Sequence, residues 1–434
     1  MRLPASFPRF SRDVWLINAS LMVFAAGFMG ITQLLRVIYL LRLGAGLELI
    51  GVLYASGSLL FGVMGLPSGA IGTRLGARRA LVLGAVVLAA GLGLLPLTEI
   101  VPPALRAAWP VVAELVTTVG WSLLIVNSVP ILVATTPPEH LRAAYALREA
   151  LMGFANLIGL VLAGLLPELF AALLQTTTAQ PAPYRYGLLV SLGLGGVAVF
   201  LVTRTGALAE SRPAGAGRAP RGLSRPILLL LLCGFLNQGG VAACRVFTYA
   251  YMDTAFAMPT SAIGIINGAG MALAVFAALN STRLARRFGS GQAMIVASLA
   301  LMLDLVMMAL LPHWIAAAVG TIVVLGLFSL WMPAYQTLQM EFAEPGQRGI
   351  VSGAGFMALG LGFSMTSLVG GRLAAATGYP PLFLMGAGLA LASALLMNYV
   401  RKLDSPAKRL ENTVVASIEA PARSPGVETS LAGE

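Results

Sequence analysis

Twelve long apolar stretches divide the chain, and they constrain its fold more than any other feature. A helix needs roughly 20 residues to cross the hydrocarbon core of a bilayer, and the stretches are of that length or longer. Hydrophobic residues make up 58% of the 434 residues and charged residues only 10%, against about 25% charged residues in soluble domains. The strict alternation of a membrane β-barrel is absent. The sequence therefore predicts an all-α membrane protein with helices at approximately 14–41, 48–71, 80–98, 107–135, 145–173, 185–204, 226–252, 261–282, 291–311, 314–340, 349–376 and 380–401.

Two polar segments interrupt this pattern. The first, centred on residues 206–225, is rich in Gly, Pro and Arg, which is typical of a flexible linker. The second, residues 403–434, is polar with scattered charge, which is typical of a disordered tail. The predicted organisation is a six-helix bundle in 1–205, a cytoplasmic linker in 206–225, a second six-helix bundle in 226–402 and a cytoplasmic tail in 403–434.

The net charge of +11 becomes informative once the basic residues are placed on the predicted topology. Of the 28 basic residues, 22 fall on the side of the two termini, four fall on the other side, and two lie within predicted helices. Loops that stay in the cytoplasm carry the excess of Lys and Arg. This distribution predicts a multi-pass protein of the cytoplasmic membrane with both termini inside. It also argues against a nucleic-acid partner, because the charge is spread over every inner loop and the bilayer explains it.

The two halves of the chain carry similar sequences in the same order. The matches pair Arg36 with Arg245, Ile50 with Ile263, Thr73 with Thr282 and Gly164 with Gly371. Each match is weak alone, but together they keep a nearly constant offset of 207 to 213 residues. Six helices per repeat return the chain to the same side of the membrane, so the repeats are parallel. Parallel repeats of this kind are a transporter architecture, with the solute site between the halves.

The loop after the second apolar stretch carries the most specific motif. Its residues are Gly69, Thr73, Arg74, Gly76, Arg78 and Arg79. This loop resembles the G-x-x-x-D-R-x-G-x-R-R signature of the major facilitator superfamily, and the resemblance extends over residues 10–402. It implies twelve helices in two parallel repeats, a secondary transporter, and a cytoplasmic gate formed by these loop residues. Thr73 stands where the family usually has Asp, which puts a charge-pair latch in question. The alternative is a basic loop with a tight turn.

Two arginines within the predicted helices are the main candidates for solute binding. Arg36 and Arg245 occupy matching places in the first and seventh helices, and two facing guanidinium groups would bind a carboxylate or phosphate. The organophosphate exchangers of the family are similar in this respect. Further candidates for the site are Gln33, Gln238, Tyr249, Trp331 and Tyr335. The alternative is that the arginines snorkel to headgroups or form a gate.

Two acidic residues within the predicted helices are candidates for proton coupling. Glu114 lies in the fourth helix, where it would either exchange protons with the cavity or pair with Arg36. Asp304 lies in the ninth helix, where a structural polar contact is the alternative to proton relay. Ionisable groups at such depth are costly and tend to be functional.

These features predict a secondary active transporter that moves a small organic solute, with an anion favoured, by alternating access as a monomer. Protons are the candidate coupling ion. The sequence has no nucleotide-binding loop, Cys/His cluster or nucleophile motif, so we expect no enzyme activity, cofactor or metal. Two alternatives remain, a proton-coupled efflux pump with an apolar pocket and a non-transporting membrane receptor. The arginine that drug–proton antiporters usually carry in the fourth helix is missing.

Overall fold

The computed structural model describes residues 12–136, 140–206, 223–343 and 347–402. Most of the predicted linker (207–222) and the whole predicted tail (403–434) lie outside these residues. The described residues form twelve helices that are long and apolar enough to cross a membrane, and they contain no strand. The predicted all-α fold with twelve membrane-crossing helices is therefore confirmed. The helices are α1 (Arg12–Arg42), α2 (Leu47–Leu75), α3 (Ala77–Leu94), α4 (Trp109–Thr135), α5 (Leu141–Leu173), α6 (Ala182–Thr203), α7 (Arg225–Phe256), α8 (Thr260–Phe288), α9 (Ser290–Leu310), α10 (Trp314–Phe342), α11 (Arg348–Thr377) and α12 (Tyr379–Val400).

The repeat in the sequence has a counterpart in the turns between helices. Gly76 separates α2 from α3 with φ +85°, and Gly289 separates α8 from α9 with φ +81°. Both angles lie in the left-handed region that favours glycine. The same one-residue turn therefore recurs 213 residues later, at the corresponding place in each half.

Helix α1 is not a regular α-helix throughout. Its middle segment, Ala25–Thr32, is π-helical, and such segments occur frequently at functional sites. Within it, Gly30 packs on α5 so closely that a Cβ there would lie 2.5 Å from the Gly159 Cα. The π segment ends directly before Gln33 and therefore sets the direction in which Gln33 and Arg36 project.

The N-terminal half (α1–α6) and the C-terminal half (α7–α12) meet most closely at the face of the bundle away from both termini. We call this the opposite face, and we call the face where α1 begins and α12 ends the terminal face. At the opposite face, a Cβ on Gly371 would lie 3.1 Å from the Gly51 Cα, and a Cβ on Gly264 would lie 2.7 Å from the Gly164 Cα. Backbones thus touch between α2 and α11 and between α5 and α8, so the opposite face is closed.

The same helices separate toward the terminal face. Along α2 and α11, the contact of Gly51 with Gly371 is followed by a wider one, in which a Cβ on Gly62 would lie 3.7 Å from the Met357 Cα. Gly69 continues the same stripe of α2, seven residues further on, and no described atom lies within 4 Å of a Cβ placed there. The space between the halves is therefore open toward the terminal face.

Candidate functional site

The N-terminal half holds a compact polar cluster around Arg36. One terminal nitrogen of Arg36 lies 2.5 Å from a Glu114 carboxylate oxygen, and the other donates to Gln33 Oε1 at 2.6 Å. The guanidinium carbon lies 4.1 Å from the centre of the Tyr54 ring, in the geometry of a cation–π contact. Only 2% of Arg36 is exposed. The positive charge of Arg36 is thus buried and already balanced by an acid of the same half.

A glycine on α2 makes room for the acid of this cluster. A Cβ on Gly57 would lie 2.5 Å from a Glu114 carboxylate oxygen. Helices α2 and α4 therefore pack around Glu114, and the carboxylate points at Arg36 on α1. The prediction left open whether Glu114 pairs with Arg36, and in this conformation it does.

Arg245, the repeat equivalent of Arg36, has different surroundings. It is exposed, although most of the residues beside it on α7 are buried. Its guanidinium carbon lies 5.9 Å from the centre of the Phe328 ring on α10. No described residue forms a hydrogen bond or an ion pair with it. The structure thus places a second intramembrane arginine without an acidic partner among the described residues.

Arg245 belongs to a polar face of α7 that points at the N-terminal half. At 100° per residue, Gln238, Arg245 and Tyr249 lie within about 40° of one another around the helix. Tyr249 packs against a hydrophobic cluster that contains Tyr54 of the other half as well as Val246 of α7. The α7 face and the Arg36 cluster therefore lie on the two walls of the same space between the halves.

Trp331 and Tyr335 lie behind this wall rather than on it. Each is 1% exposed, and their rings stack 4.7 Å apart inside the C-terminal half. The Trp331 ring also lines a narrow crevice together with Asn237 and Phe328. In this conformation, the two aromatic residues therefore belong to the packing of the C-terminal half.

Asp304 also lies inside the C-terminal half. It is 6% exposed and faces α10, where a Cβ on Gly320 would lie 3.3 Å from its Oδ1 atom. Its Oδ2 atom has no hydrogen-bond partner among the described residues. The structure therefore does not bring Asp304 together with Glu114, the other acidic candidate.

An ion pair that was not predicted from the sequence joins the two halves at the opposite face. Arg42 at the end of α1 makes two contacts with Asp253 of α7, at 2.7 Å and 2.6 Å. Arg42 also donates to the carbonyl oxygen of Thr178, at 3.0 Å. In the predicted topology, Arg42 is one of the four basic residues on the side away from the termini. Asp253 lies one turn beyond Tyr249 on α7, and that spacing is the signal that would have identified it.

The predicted gate loop makes its contacts within the N-terminal half. Arg78 donates to Thr205 Oγ1 at 3.4 Å and to the carbonyl oxygen of Thr203 at 3.2 Å. The hydroxyl of Thr73 donates to the carbonyl oxygen of Ala70 at 2.8 Å. Arg74 and Arg79, the remaining basic residues of the loop, are exposed. No hydrogen bond or ion pair joins this loop to the described residues of the C-terminal half, as expected while the terminal face is open.

The described residues contain no group of three or more His, Cys, Asp or Glu side chains that could hold a metal ion. The chemistry available between the halves is therefore that of guanidinium, amide, phenol and carboxylate groups. Such groups bind a solute through charge and hydrogen bonds.

Comparison with known proteins identifies the family of this chain. The family model of the Major Facilitator Superfamily matches residues 14–367, and no curated protein matches the chain. The solved structure of the nucleoside transporter NupG is similar with a TM-score of 0.72 at 13% identity, covering 91% of this chain and 100% of that one. The D-xylose-proton symporter gives 0.66 at 15% identity, with 88% and 95% covered. A POT family transporter in complex with 5-aminolevulinic acid gives 0.70 at 9% identity, with 89% and 96% covered.

At these identities, the solved structures show only that the fold is shared. The solutes in their names differ widely, so they do not identify the solute of this chain. The matching of more than half of the chain by the family model decides the classification. The predicted resemblance and the predicted fold of two parallel six-helix repeats are both confirmed. The protein is a membrane transporter that belongs to the Major Facilitator Superfamily.

Proposed function

We propose that this protein is a secondary active transporter that moves a small organic anion across the cytoplasmic membrane by alternating access. The observation that carries this proposal is the uncompensated charge of Arg245 between the halves. Charged residues in membrane helices are rare, face the bundle interior or a water-filled cavity, and mark solute pathways. Glu114 neutralises Arg36 within the protein, whereas an anionic solute would neutralise Arg245.

The terminal face is proposed to be the cytoplasmic face. The exposed arginines Arg74 and Arg79 lie there, on the side to which the predicted topology assigns 22 of the 28 basic residues. The excess of Lys and Arg in cytoplasmic loops supports this orientation. The present conformation is then open to the cytoplasm and closed to the outside.

Alternating access would require the closed opposite face to separate while the terminal face closes. The glycine contacts between the halves give a way to test this motion. A side chain at Gly264 would collide with the backbone of α5, and overpacking of this kind costs about 1–3 kcal/mol. We expect Gly264→Leu to shift the population toward an open opposite face, by about 5- to 150-fold.

Spin labels at Glu48 on α2 and Ala255 on α7, in a background without the native cysteines, would report this shift by pulsed electron paramagnetic resonance. The Glu48–Ala255 distance should increase in Gly264→Leu. Gly193→Leu is the matched control, because no described atom lies within 4 Å of a Cβ at Gly193. An unchanged distance in Gly264→Leu, or an equal increase in the control, would contradict the proposed motion.

Protons are proposed as the coupling ion, with Glu114 as the main candidate and Asp304 as the second. Protonation of Glu114 would remove the partner of Arg36 and leave a second positive charge facing the solute. Solute binding and proton binding would then be linked through one ion pair. A monomer is proposed as the working unit, because the two halves of the chain supply both walls of the proposed site.

The test of the anion proposal is a thermal-shift screen of the detergent-purified protein. Carboxylates and phosphate monoesters would be compared with neutral amide or alcohol analogues of the same shape. We expect particular anions to stabilise the protein. Arg245→Ala should weaken the binding of these anions by about 10- to 150-fold, because a charge-assisted hydrogen bond contributes about 1.5–3 kcal/mol. Arg245→Lys should retain part of the affinity, because it keeps the positive charge.

Equal stabilisation by neutral apolar compounds, unaffected by Arg245→Ala, would instead support the efflux pump with an apolar pocket. Reconstituted vesicles distinguish the receptor alternative. A transporter should exchange an internal anion for the labelled external one, whereas a receptor would bind the same anion without any exchange.

A further inference from the structure

The face of α7 that carries Arg245 also carries a second group that the protein leaves unused. Gln238 lies seven residues before Arg245, so the two residues are about 10 Å apart along the helix axis and point in nearly the same direction. The Oε1 atom of Gln238 is buried, and no described residue donates a hydrogen bond to it. By their positions on α7, Arg245 and the half-buried Gln238 side chain share one face of the helix, and the acceptor of Gln238 has no donor from the described protein.

Comparable amides nearby are already used. The Oδ1 atom of Asn237 accepts a hydrogen bond from Ser298 at 2.8 Å. In the other half, the Oε1 atom of Gln33 accepts from Arg36 at 2.6 Å. A buried polar atom without a partner costs about 1–3 kcal/mol and is uncommon in folded proteins. Of these three amide oxygens, only that of Gln238 has no donor among the described residues.

We propose that Gln238 determines specificity, and that the solute carries a hydroxyl or amide N–H roughly 10 Å from its anionic group. This inference rests on the proposed function, in which an anion pairs with Arg245. The anionic group binds Arg245, and the distant O–H or N–H donates to Gln238 Oε1. The substrate class is therefore a polar, elongated organic anion.

The geometry separates this class from two others. An anion of two or three carbon atoms reaches Arg245 but not Gln238. An anion with an apolar tail reaches both, but it leaves the acceptor of Gln238 unfilled. Sites built to bind a polar group discriminate against analogues that lack it, because their own buried group is then left unpaired.

The test uses ω-hydroxy carboxylates from 4-hydroxybutanoate to 10-hydroxydecanoate. Each is compared with the methyl-terminated acid that has the same number of heavy atoms, and Kd is measured on the full-length protein in nanodiscs. We expect the hydroxyl group to lower Kd by about 3- to 10-fold in the longer acids and not in the shortest. Gln238→Met should abolish this preference, so that each hydroxy acid and its methyl-terminated counterpart bind with equal Kd.

Two further measurements keep the test decisive. A methoxy-terminated acid accepts a hydrogen bond but cannot donate one, so it should bind no better than its alkyl counterpart. A hydroxyl preference that persists in Gln238→Met, or its absence at every chain length, would overturn the assignment of Gln238. Anion binding that survives Arg245→Ala would instead contradict the proposed function, so the two failures are distinguishable.

Discussion

The two halves of this transporter have an arginine at the same point of the repeat, but the surroundings of the two arginines differ in burial and in charge. In the N-terminal half, Arg36 is buried and contacts Glu114, Gln33 and the Tyr54 ring. In the C-terminal half, Arg245 is exposed and contacts the Phe328 ring. Helix α4 supplies an acid to the first arginine, whereas α10, the repeat equivalent of α4, has no acidic residue before position 341.

This difference shows how a symmetric scaffold can hold an asymmetric site. The repeat fixes where the two arginines lie, because corresponding helices occupy corresponding places around the pseudo-two-fold axis. The neighbouring helices then determine which charge is satisfied within the protein. In the N-terminal half, the charge of Arg36 is already balanced by Glu114. In the C-terminal half, the guanidinium of Arg245 and the amide oxygen of Gln238 remain available to a solute.

The largest expected effect comes from breaking the ion pair of the N-terminal half. Glu114→Leu leaves the buried charge of Arg36 without an acid, and removal of one partner of a buried pair costs about 3–5 kcal/mol. We expect this loss in the free energy of unfolding, measured by denaturation in mixed micelles. Adding Arg36→Met to the same protein should restore most of the stability, because no buried charge then remains.

The matched change in the other half is Arg245→Met, which should leave the free energy of unfolding nearly unchanged. A loss as large as that of Glu114→Leu would mean that Arg245 has an internal role comparable to that of Arg36. The contrast between the two halves would then be wrong.

A smaller effect is expected from giving the C-terminal half the acid that it lacks. Phe328→Glu places a carboxylate beside Arg245, where it competes with the solute anion. We expect the Kd of the anions found in the thermal-shift screen to rise by about 10-fold or more, since a charge-assisted hydrogen bond contributes about 1.5–3 kcal/mol. Phe328→Gln serves as the control for the loss of the ring. An equal effect of both variants would mean that the ring, and not the free charge, matters.

The smallest effect is expected at the ion pair that joins the halves. The side chain of Asp253 is 3% exposed and that of Arg42 is 24% exposed. Asp253→Asn keeps a hydrogen-bond acceptor for Arg42, and the charge left behind is the partly hydrated one, so we expect a change of about 1 kcal/mol or less. The population with an open opposite face, measured with the Glu48 and Ala255 spin labels, should rise by up to about 5-fold.

Glu99→Gln is the control for this prediction, because its ion pair with Arg185 at 2.8 Å lies within the N-terminal half. That variant should leave the label distances unchanged. A shift of the same size in Glu99→Gln would show that the loss of any surface ion pair loosens the bundle, and that the Arg42–Asp253 contact has no special part in closing the opposite face.

Much of the fold could be predicted because it depends on local properties of the sequence. Twelve apolar stretches, each long enough to cross a bilayer, predicted the twelve helices, and the spacing of the repeat predicted two parallel bundles. A tight turn was one interpretation of the loop that contains Gly76, and it agrees with the positive φ of this glycine, because glycine enters the left-handed region without strain. Two of the solute-site candidates, Arg36 and Arg245, were identifiable because charged residues are rare in membrane helices.

The partners of those residues were not predictable in the same way. The sequence made Arg36 and Arg245 look equivalent, and it left open whether Glu114 pairs with Arg36. It also suggested that Trp331 and Tyr335 face the solute, although in the structure both pack inside the C-terminal half. Which face of a membrane helix meets protein, lipid or the central space depends on the rotation and tilt of every neighbouring helix, and hydropathy does not record these.

The sequence by itself thus determined that the chain crosses the membrane twelve times, that its halves are related by a repeat, and that few charges lie at membrane depth. These properties follow from the cost of exposing polar groups to hydrocarbon, which acts on each segment separately. Only the tertiary structure decided that Arg36 is neutralised and Arg245 is not. That outcome depends on contacts over 78 residues of sequence for Arg36 with Glu114, and on close glycine contacts that bring helices from distant parts of the chain together.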